Sequence, residues 1–467
     1  MEDNLLYEAR QRFGTKALYP YQRLVAGTIL EACRGDSEHA RNLVAVLPTG
    51  GGKSLCFQLP AAILEPPTLM VYPLLSLIAD QQRRMKESGL AVAVFRGGQT
   101  REERRTIIDQ CRNRRLDAVL ASPEVLDTPF GREAISACEF GLAVVDEAHC
   151  VTEWGQTFRS SYLTLGTLLK PVPVVVAFTA TASAATLKGL NETLFLGENV
   201  HRIIAHPDRA ELRYTVVPVS SILRSLESGF RQARYCAEPD PFMVFASGDP
   251  FLLPAIVFCR TRGETERIAR YIHAHTGVKN VRYYHAGLPS VERTAIEEWF
   301  FHANEAVLCA TCAYGMGVDK SNVRTVIHTQ PPATIEAYVQ EAGRGGRDKK
   351  ASCAVLMLPH AVDGVPTRIE DPRLEALASG DRCRRTCILE AFGAMPEGCA
   401  GCDYCAGRVV SRPERLETIS RLRMTYTPSL AAKIARGDRL RYPNLVPMPG
   451  FGSLSDWSEM QIKDACR

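Results

Sequence analysis

Two stretches decide how this chain folds: Leu47-Pro48-Thr49-Gly50-Gly51-Gly52-Lys53-Ser54 and, further along, Val144-Val145-Asp146-Glu147-Ala148-His149. The first follows an apolar run over residues 42–47 that reads as a buried parallel strand, and it leads into a segment that can be helical. Strand, glycine-rich turn and helix in that order make a phosphate cradle. With no side chains in the way, Gly50, Gly51 and Gly52, with Thr49 beside them, bring backbone N–H groups onto phosphate oxygens at the positive end of a helix. Lys53 then supplies charge to the β- and γ-phosphates, and the Ser54 hydroxyl ligates Mg²⁺. The stricter motif has glycine where Leu47 stands, so a glycine-rich surface turn would read the same.

The second stretch ends another apolar run, residues 140–145, in two adjacent carboxylates. Asp146 is placed to hold the metal through water, and Glu147 to orient or deprotonate the attacking water. Alone, an Asp-Glu pair after a strand is a solvated strand end. Paired with a phosphate loop, it completes a site that hydrolyses ATP.

With 467 residues the chain is too long for one ordinary core and predicts two or three domains. A composition of 46% hydrophobic and 23% charged residues is globular and excludes a disordered chain. No apolar run reaches the ~20 residues needed to cross a bilayer, and the charged N-terminus lacks a signal-like core, so a cytosolic or nuclear protein is expected. A net charge of +4 requires any nucleic-acid site to come from local clustering. The sixteen cysteines are mostly isolated in apolar strands, Cys259, Cys309 and Cys353 among them, and read as reduced core residues.

Residues 1–205 alternate apolar strands (42–47, 68–72, 118–121, 141–145, 172–178) with helical stretches, the pattern of a doubly wound parallel sheet. The pattern restarts over residues 206–360 with strands at 252–259, 281–284, 306–310, 325–328 and 352–358, which predicts a second α/β lobe. Residues 216–249 hold little strand pattern and read as connecting helix and surface loop.

Further motifs follow in fixed order. Phe13-Gly14 precedes Pro20 and Gln22; Pro73-Leu74-Leu75-Ser76-Leu77 precedes Asp80-Gln81; then come Ser122-Pro123-Glu124, the Asp-Glu-Ala-His box, and Phe178-Thr179-Ala180-Thr181-Ala182. The second lobe carries Phe258-Cys259-Arg260-Thr261-Arg262, Tyr284-His285-Ala286-Gly287-Leu288, residues 311–320 (TCAYGMGVDK), and Gln340-Glu341-Ala342-Gly343-Arg344-Gly345-Gly346-Arg347-Asp348. Over roughly residues 10–406 this set resembles the RecQ family of superfamily 2 DNA helicases.

The resemblance implies two RecA-like lobes, ATP and Mg²⁺ as cofactors, and 3′ to 5′ movement on single-stranded DNA. It groups His149 with Lys53, Asp146 and Glu147 as catalytic, and lets Arg344 and Arg347 reach the γ-phosphate from the second lobe, so that closure follows the nucleotide state. Gln22 resembles the residue that reads the adenine edge; Thr15 and Tyr19 stand where the family has Tyr and Arg, which makes Tyr19 the substitute stacking partner. Trp154, Phe158 and Arg159 resemble the aromatic-rich loop that couples single-strand binding to hydrolysis, with π-faces for bases and a cation for phosphate; the alternative is that both aromatics are core. Gln156 stands where the family's loop carries His.

Cys383, Cys399, Cys402 and Cys405 form a C-x15-C-x2-C-x2-C array, matching the family's zinc module over residues 361–407, with Cys387 as a spare thiol. The family continues with a winged helix, for which the remaining residues 408–467 are few. They read as a short basic tail, arginine-rich over 408–441, that either tracks phosphate or is a solvated helix. Expected partners are single-stranded and tailed duplex DNA, with a partner protein for missing accessory functions. Two rivals stand beside the helicase reading: an ATP-switched DNA-binding or annealing scaffold, and an RNA remodeller.

Overall fold

The computed structural model describes residues 4–36, 40–47, 52–153, 160–180, 183–205, 208–219, 221–240, 249–315, 320–359, 368–395, 398–409, 413–455 and 457–466. It separates into two units, Met1–Asp208 and Arg209–Arg467. Among the described residues no helix is long and apolar enough to cross a membrane.

The first unit is built on seven parallel strands, β1 (Asn42–Val46), β2 (Thr68–Val71), β3 (Val92–Val94), β4 (Ala118–Ala121), β5 (Leu142–Val145), β6 (Val174–Thr179) and β7 (Val200–Ile204), in the order β3-β4-β2-β5-β6-β1-β7. Interior strands β2, β4, β5 and β6 are buried along their whole length and, but for Thr68 and Thr179, apolar, because both faces of a parallel sheet are covered. That is why they stand out as runs in the sequence. β3 and β7 do not: β3 is three residues on one edge, and β7 is the other edge, with His201 and Arg202 breaking the apolar pattern. Register aligns the ends of the central strands, Val46 beside Thr179 and Val145 beside Ala177. Residues following β1, β5 and β6 therefore emerge at one carboxyl edge, where open α/β sheets place their ligands.

The second unit carries β8 (Leu212–Val219), a short pair β9 (Arg234–Tyr235) and β10 (Leu252–Leu253), and β11 (Ala255–Phe258), β12 (Val281–Tyr284), β13 (Val307–Ala310), β14 (Thr325–His328) and β15 (Ser352–Pro359). Six of these form a parallel sheet in the order β12-β13-β11-β14-β15-β8. The run expected over 252–259 is split at Pro254, which has no N–H to continue a ladder. Residues 216–219, expected as connection, instead finish β8, whose eight residues pair along all of β15. Tyr214, Thr215 and Pro218 interrupt its apolar run, so only pairing with β15 marks it as a strand. Cys259, Cys309 and Cys353 are buried members of this unit's core and form no disulfide, as their apolar settings predict.

The cysteine-rich segment shares its core with the second sheet. Leu374, Leu377, Cys387, Ile388 and Cys402 pack with Leu212, Tyr214, Ile335 and Tyr338. Asp403 secures the junction: its carboxylate accepts from Arg384 Nε at 2.8 Å and Nη2 at 3.1 Å, and from the Val216 N–H at 3.1 Å.

Beyond Gly407, where the sequence offers mainly basic character, three helices (Pro413–Thr425, Pro428–Arg436, Glu459–Ala465) enclose a small core of their own. It contains Ile419, Leu422, Ile434, Leu454, Trp457 and Ile462.

Candidate nucleotide site and cysteine cluster

The glycine-rich turn ends at Gly52, whose φ of 72° lies in the left-handed region that favours glycine. Ser54 stands directly before the following helix, Leu55–Ile63, with helical backbone angles and no side-chain capping bond. Lys53 Nζ lies 2.8 Å from both Asp146 Oδ1 and Glu147 Oε1, so one ammonium counterbalances two carboxylates from the end of β5. Burial alone would lower the lysine's affinity for its proton. The two carboxylates outweigh it and hold the ammonium above its ordinary range.

The backbone makes this convergence possible. Asp146 N–H donates to Val71 O at 3.0 Å and Ala148 N–H to Phe178 O at 2.8 Å, anchoring the box to β2 and β6 on either side. Between them Glu147 takes a φ of 50°, and its N–H donates to Asp146 Oδ1 at 2.9 Å. A non-glycine residue in that region is uncommon and clusters at functional sites. His149 Nδ1 is 3.5 Å from Glu147 Oε2 and 3.2 Å from Thr179 Oγ1. His149, beside Glu147, is thus hydrogen-bonded to the last residue of β6, Thr179, which opens the Thr-Ala-Thr motif. A buried bond from Gln58 Nε2 to Gln81 Oε1, 2.8 Å, joins the helix after the phosphate turn to the Asp80-Gln81 motif.

Gln22 lies against the phosphate turn, Nε2 donating to Gly52 O at 3.3 Å while its Oε1 accepts the Tyr19 N–H at 2.9 Å. The Tyr19 ring is exposed and stacks on Tyr21, with centroids 5.6 Å apart. A Cβ on Gly52 would stand 2.6 Å from Gln22 Nε2. Gly52→Ala is therefore expected to displace Gln22 and to strain the turn by about 1–2 kcal/mol. The strain is expected to weaken every nucleotide, and, on the reading of Gln22 as the residue that meets the base, its displacement is expected to lower discrimination. Comparing kcat/KM for ATP and GTP checks this, with the ATP preference expected to fall about tenfold, equivalent to about 1.4 kcal/mol. An unchanged ratio would remove Gln22 from base recognition.

Thr49, Gly50, Gly51, Trp154, Phe158 and Arg159 lie outside the described residues.

In the second unit the helix Ile335–Ala342 ends at Gly343, and the turn that follows carries Arg344 and Arg347. Both arginine charges act on the buried Tyr314 hydroxyl: burial pushes its pKa up, and they pull against it. The turn is tightly made. A Cβ on Gly345 would meet Ser352 Oγ at 2.3 Å, and Gly346, at φ 59°, would meet Lys350 O at 2.7 Å. Asp348 is paired with buried Arg324, and Glu341 with His328 at 2.9 Å. Arg209 holds the turn from below, Nη1 donating to Gly343 O at 3.0 Å and Nη2 to Gly345 O at 2.9 Å. No motif singles out Arg209. It lies more than a hundred residues from its partners in sequence, and only the folded unit brings them together.

The ligand atoms of Cys383, Cys399, Cys402 and Cys405 all fall within 4.8 Å of one another. Cys383 Sγ and Cys402 Sγ are 3.8 Å apart, the spacing of about 3.8 Å that a tetrahedron with Zn–S bonds of about 2.3 Å requires. The thiols share protons among themselves: the hydrogen bond from Cys399 foremost holds the Cys402 thiol down, the same bond pushes the Cys399 thiol up, and burial foremost raises that of Cys405. Cys387 stands apart, its Sγ donating to Ala376 O at 3.6 Å. The four residues fit a closed structural zinc site.

This fold and site define the DEAD/DEAH box class of two-lobed nucleotide-hydrolysing proteins: the family model "DEAD/DEAH box helicase" matches residues 19–190, and "Helicase conserved C-terminal domain" matches residues 253–349. Within that class, the chain belongs to the RecQ family of superfamily 2. It is 37% identical over 321 residues to the probable ATP-dependent DNA helicase RecS of Bacillus subtilis, covering 68% of this chain and 61% of that protein. It is 32% identical over 408 residues to the ATP-dependent DNA helicase RecQ of Haemophilus influenzae, covering 84% of this chain and 62% of that one. The chain thus spans about three fifths of the length of these relatives. In fold it is similar to the helicase Lhr of Mycobacterium smegmatis solved with ssDNA and AMP-PNP, with a TM-score of 0.57, 17% identity, and coverage of 96% of this chain and 56% of that one.

Proposed function

We propose that this protein is an ATP-dependent DNA helicase that moves 3′ to 5′ on single-stranded DNA and separates tailed duplexes. The observation that carries the reading is the convergence of Lys53, Asp146, Glu147 and His149 at one sheet edge in a chain of the RecQ family. ATP lies with its phosphates on Thr49, Gly50, Gly51, Gly52 and Lys53, and its base toward Gln22 and Tyr19. Ser54 and Asp146 are the residues that would hold Mg²⁺, which would supply positive charge to the phosphates. Glu147 orients the attacking water and takes its proton, and His149 links that carboxylate to Thr179. Arg344 and Arg347 stabilise charge on the transferred phosphoryl group. Trp154, Phe158 and Arg159 hold the single strand by stacking and phosphate contact, without reading sequence. Zn²⁺ on Cys383, Cys399, Cys402 and Cys405 supports the fold. The setting is intracellular, cytoplasmic in a bacterium or nuclear in a eukaryote.

Unwinding assays on a 3′-tailed DNA duplex, its 5′-tailed counterpart and the matching 3′-tailed RNA test this proposal. ATP-dependent separation of the 3′-tailed DNA alone is expected. Separation of the RNA instead would make the protein an RNA remodeller, and DNA-stimulated hydrolysis without separation would make it an ATP-switched scaffold.

A further inference from the structure

We infer that Arg209 is the positioning residue for Arg344: it sets the turn from which Arg344 acts and so governs turnover without touching nucleotide. The inference rests on the reading of Arg344 as a phosphate-directed arginine. Gly343 O and Gly345 O, which take the two arms of the Arg209 guanidinium, belong to the residues immediately before and after Arg344. Gly343 O lies in the peptide plane that leads into Arg344, and Gly345 O in the plane that leads out of the next residue, so holding both pins the turn on either side of Arg344. A planar fork reaches the two acceptors with a separate nitrogen for each while its Nε stays on Glu211; a lysine at this position would have to serve all three from one nitrogen.

Arg209 is itself held on every side. Its Nε lies 2.6 Å from Glu211 Oε1, and it is 5% exposed. Its carbonyl accepts from Arg385 Nη1 at 3.1 Å, while Arg385 Nη2 donates to Leu212 O at 2.5 Å. Arg385 stands on the helix Arg384–Ala391, directly after Cys383. Hydrogen bonds therefore run from Arg385, two residues after Cys383 in the chain, to the Arg209 backbone, and from the Arg209 side chain to the Arg344 turn. Arg209 is also the first residue of the second unit. The point where the chain enters that unit is the point that secures the turn.

The test compares Arg209→Lys, Arg344→Ala and the double variant in full-length protein. For each, kcat and KM for ATP are measured with saturating single-stranded DNA, and thermal unfolding is followed alongside. Arg209→Lys is expected to lower kcat on the order of 10- to 100-fold, because a small misplacement of a transition-state group has that effect. KM for ATP should stay within about twofold, since the Lys53 site is unaltered. In the double variant kcat should fall no further than in Arg344→Ala alone, as expected of two residues acting as a unit. Should Arg209→Lys fold poorly, Glu211→Gln loosens the same guanidinium and is expected to lower kcat in the same way, by less. If Arg344→Ala loses turnover while Arg209→Lys and Glu211→Gln keep theirs, the inference is overturned and the Arg344 reading stands. A multiplicative loss in the double variant overturns it too, because Arg209 would then act elsewhere. If Arg344→Ala turns over normally, the Arg344 reading fails and the inference falls with it.

Discussion

Glu147→Gln is expected to reduce DNA-stimulated ATP turnover by at least about 10²- to 10⁴-fold, the range that a positioned general base contributes, while leaving ATP binding nearly intact. The carboxylate that would take the proton from water is the one at φ 50°, within 3.5 Å of His149. Gln keeps its shape and can still accept a hydrogen bond from Lys53, but it cannot take a proton. Lys53 keeps Asp146 at 2.8 Å, so the cradle stays charged and folded. Lys53→Ala should differ. It removes the charge offered to phosphate and leaves two carboxylates without the ammonium that balances them, so binding and turnover fall together. Equilibrium binding of a fluorescent ATP analogue alongside steady-state turnover separates the two cases. Wild-type turnover in Glu147→Gln would show that the motor has been assigned to the wrong carboxylate.

Cys402→Ser is expected to destabilise the second unit by more than about 4 kcal/mol, in the class of losses caused by removing a structural metal. Freshly prepared, reduced wild-type protein should carry one zinc per chain by elemental analysis, and the variant far less. The effect should spread because Cys402 is fully buried in a core shared with Leu212, Tyr214, Ile335 and Tyr338, and because neighbouring Asp403 binds both Arg384 and the backbone of β8. A metal site standing apart on a linker would lose only local order. Here, thermal unfolding should show earlier melting of the whole unit. Absence of zinc from the wild-type protein would sink the assignment, and a variant with unchanged unfolding would make the cluster a peripheral feature.

The nucleotide site is legible in the sequence because phosphate chemistry demands contiguous groups: glycines, Lys53 and Ser54 must follow one another on one turn, and Asp146 and Glu147 must end one strand. The buried strands are legible for a related reason, since a parallel sheet covered on both faces can be built only from apolar runs. β3, β7 and β8 leave no such mark, because an edge position or a polar interruption breaks the run.

Chain order alone therefore marks the groups whose partners are near in sequence: the glycine-rich turn, the Asp-Glu-Ala-His box, the four-cysteine spacing and the arginine turn. Folding settles what depends on residues distant in the chain. It placed one ammonium between two carboxylates, gave the residues beyond Gly407 a core of their own, merged the cysteine segment with the edge of the second sheet, and set Arg209 under the turn of Arg344. A motif records groups that one ligand must meet together. A hydrogen bond across more than a hundred residues leaves no local pattern, because its geometry exists only once the sheet between its ends has formed.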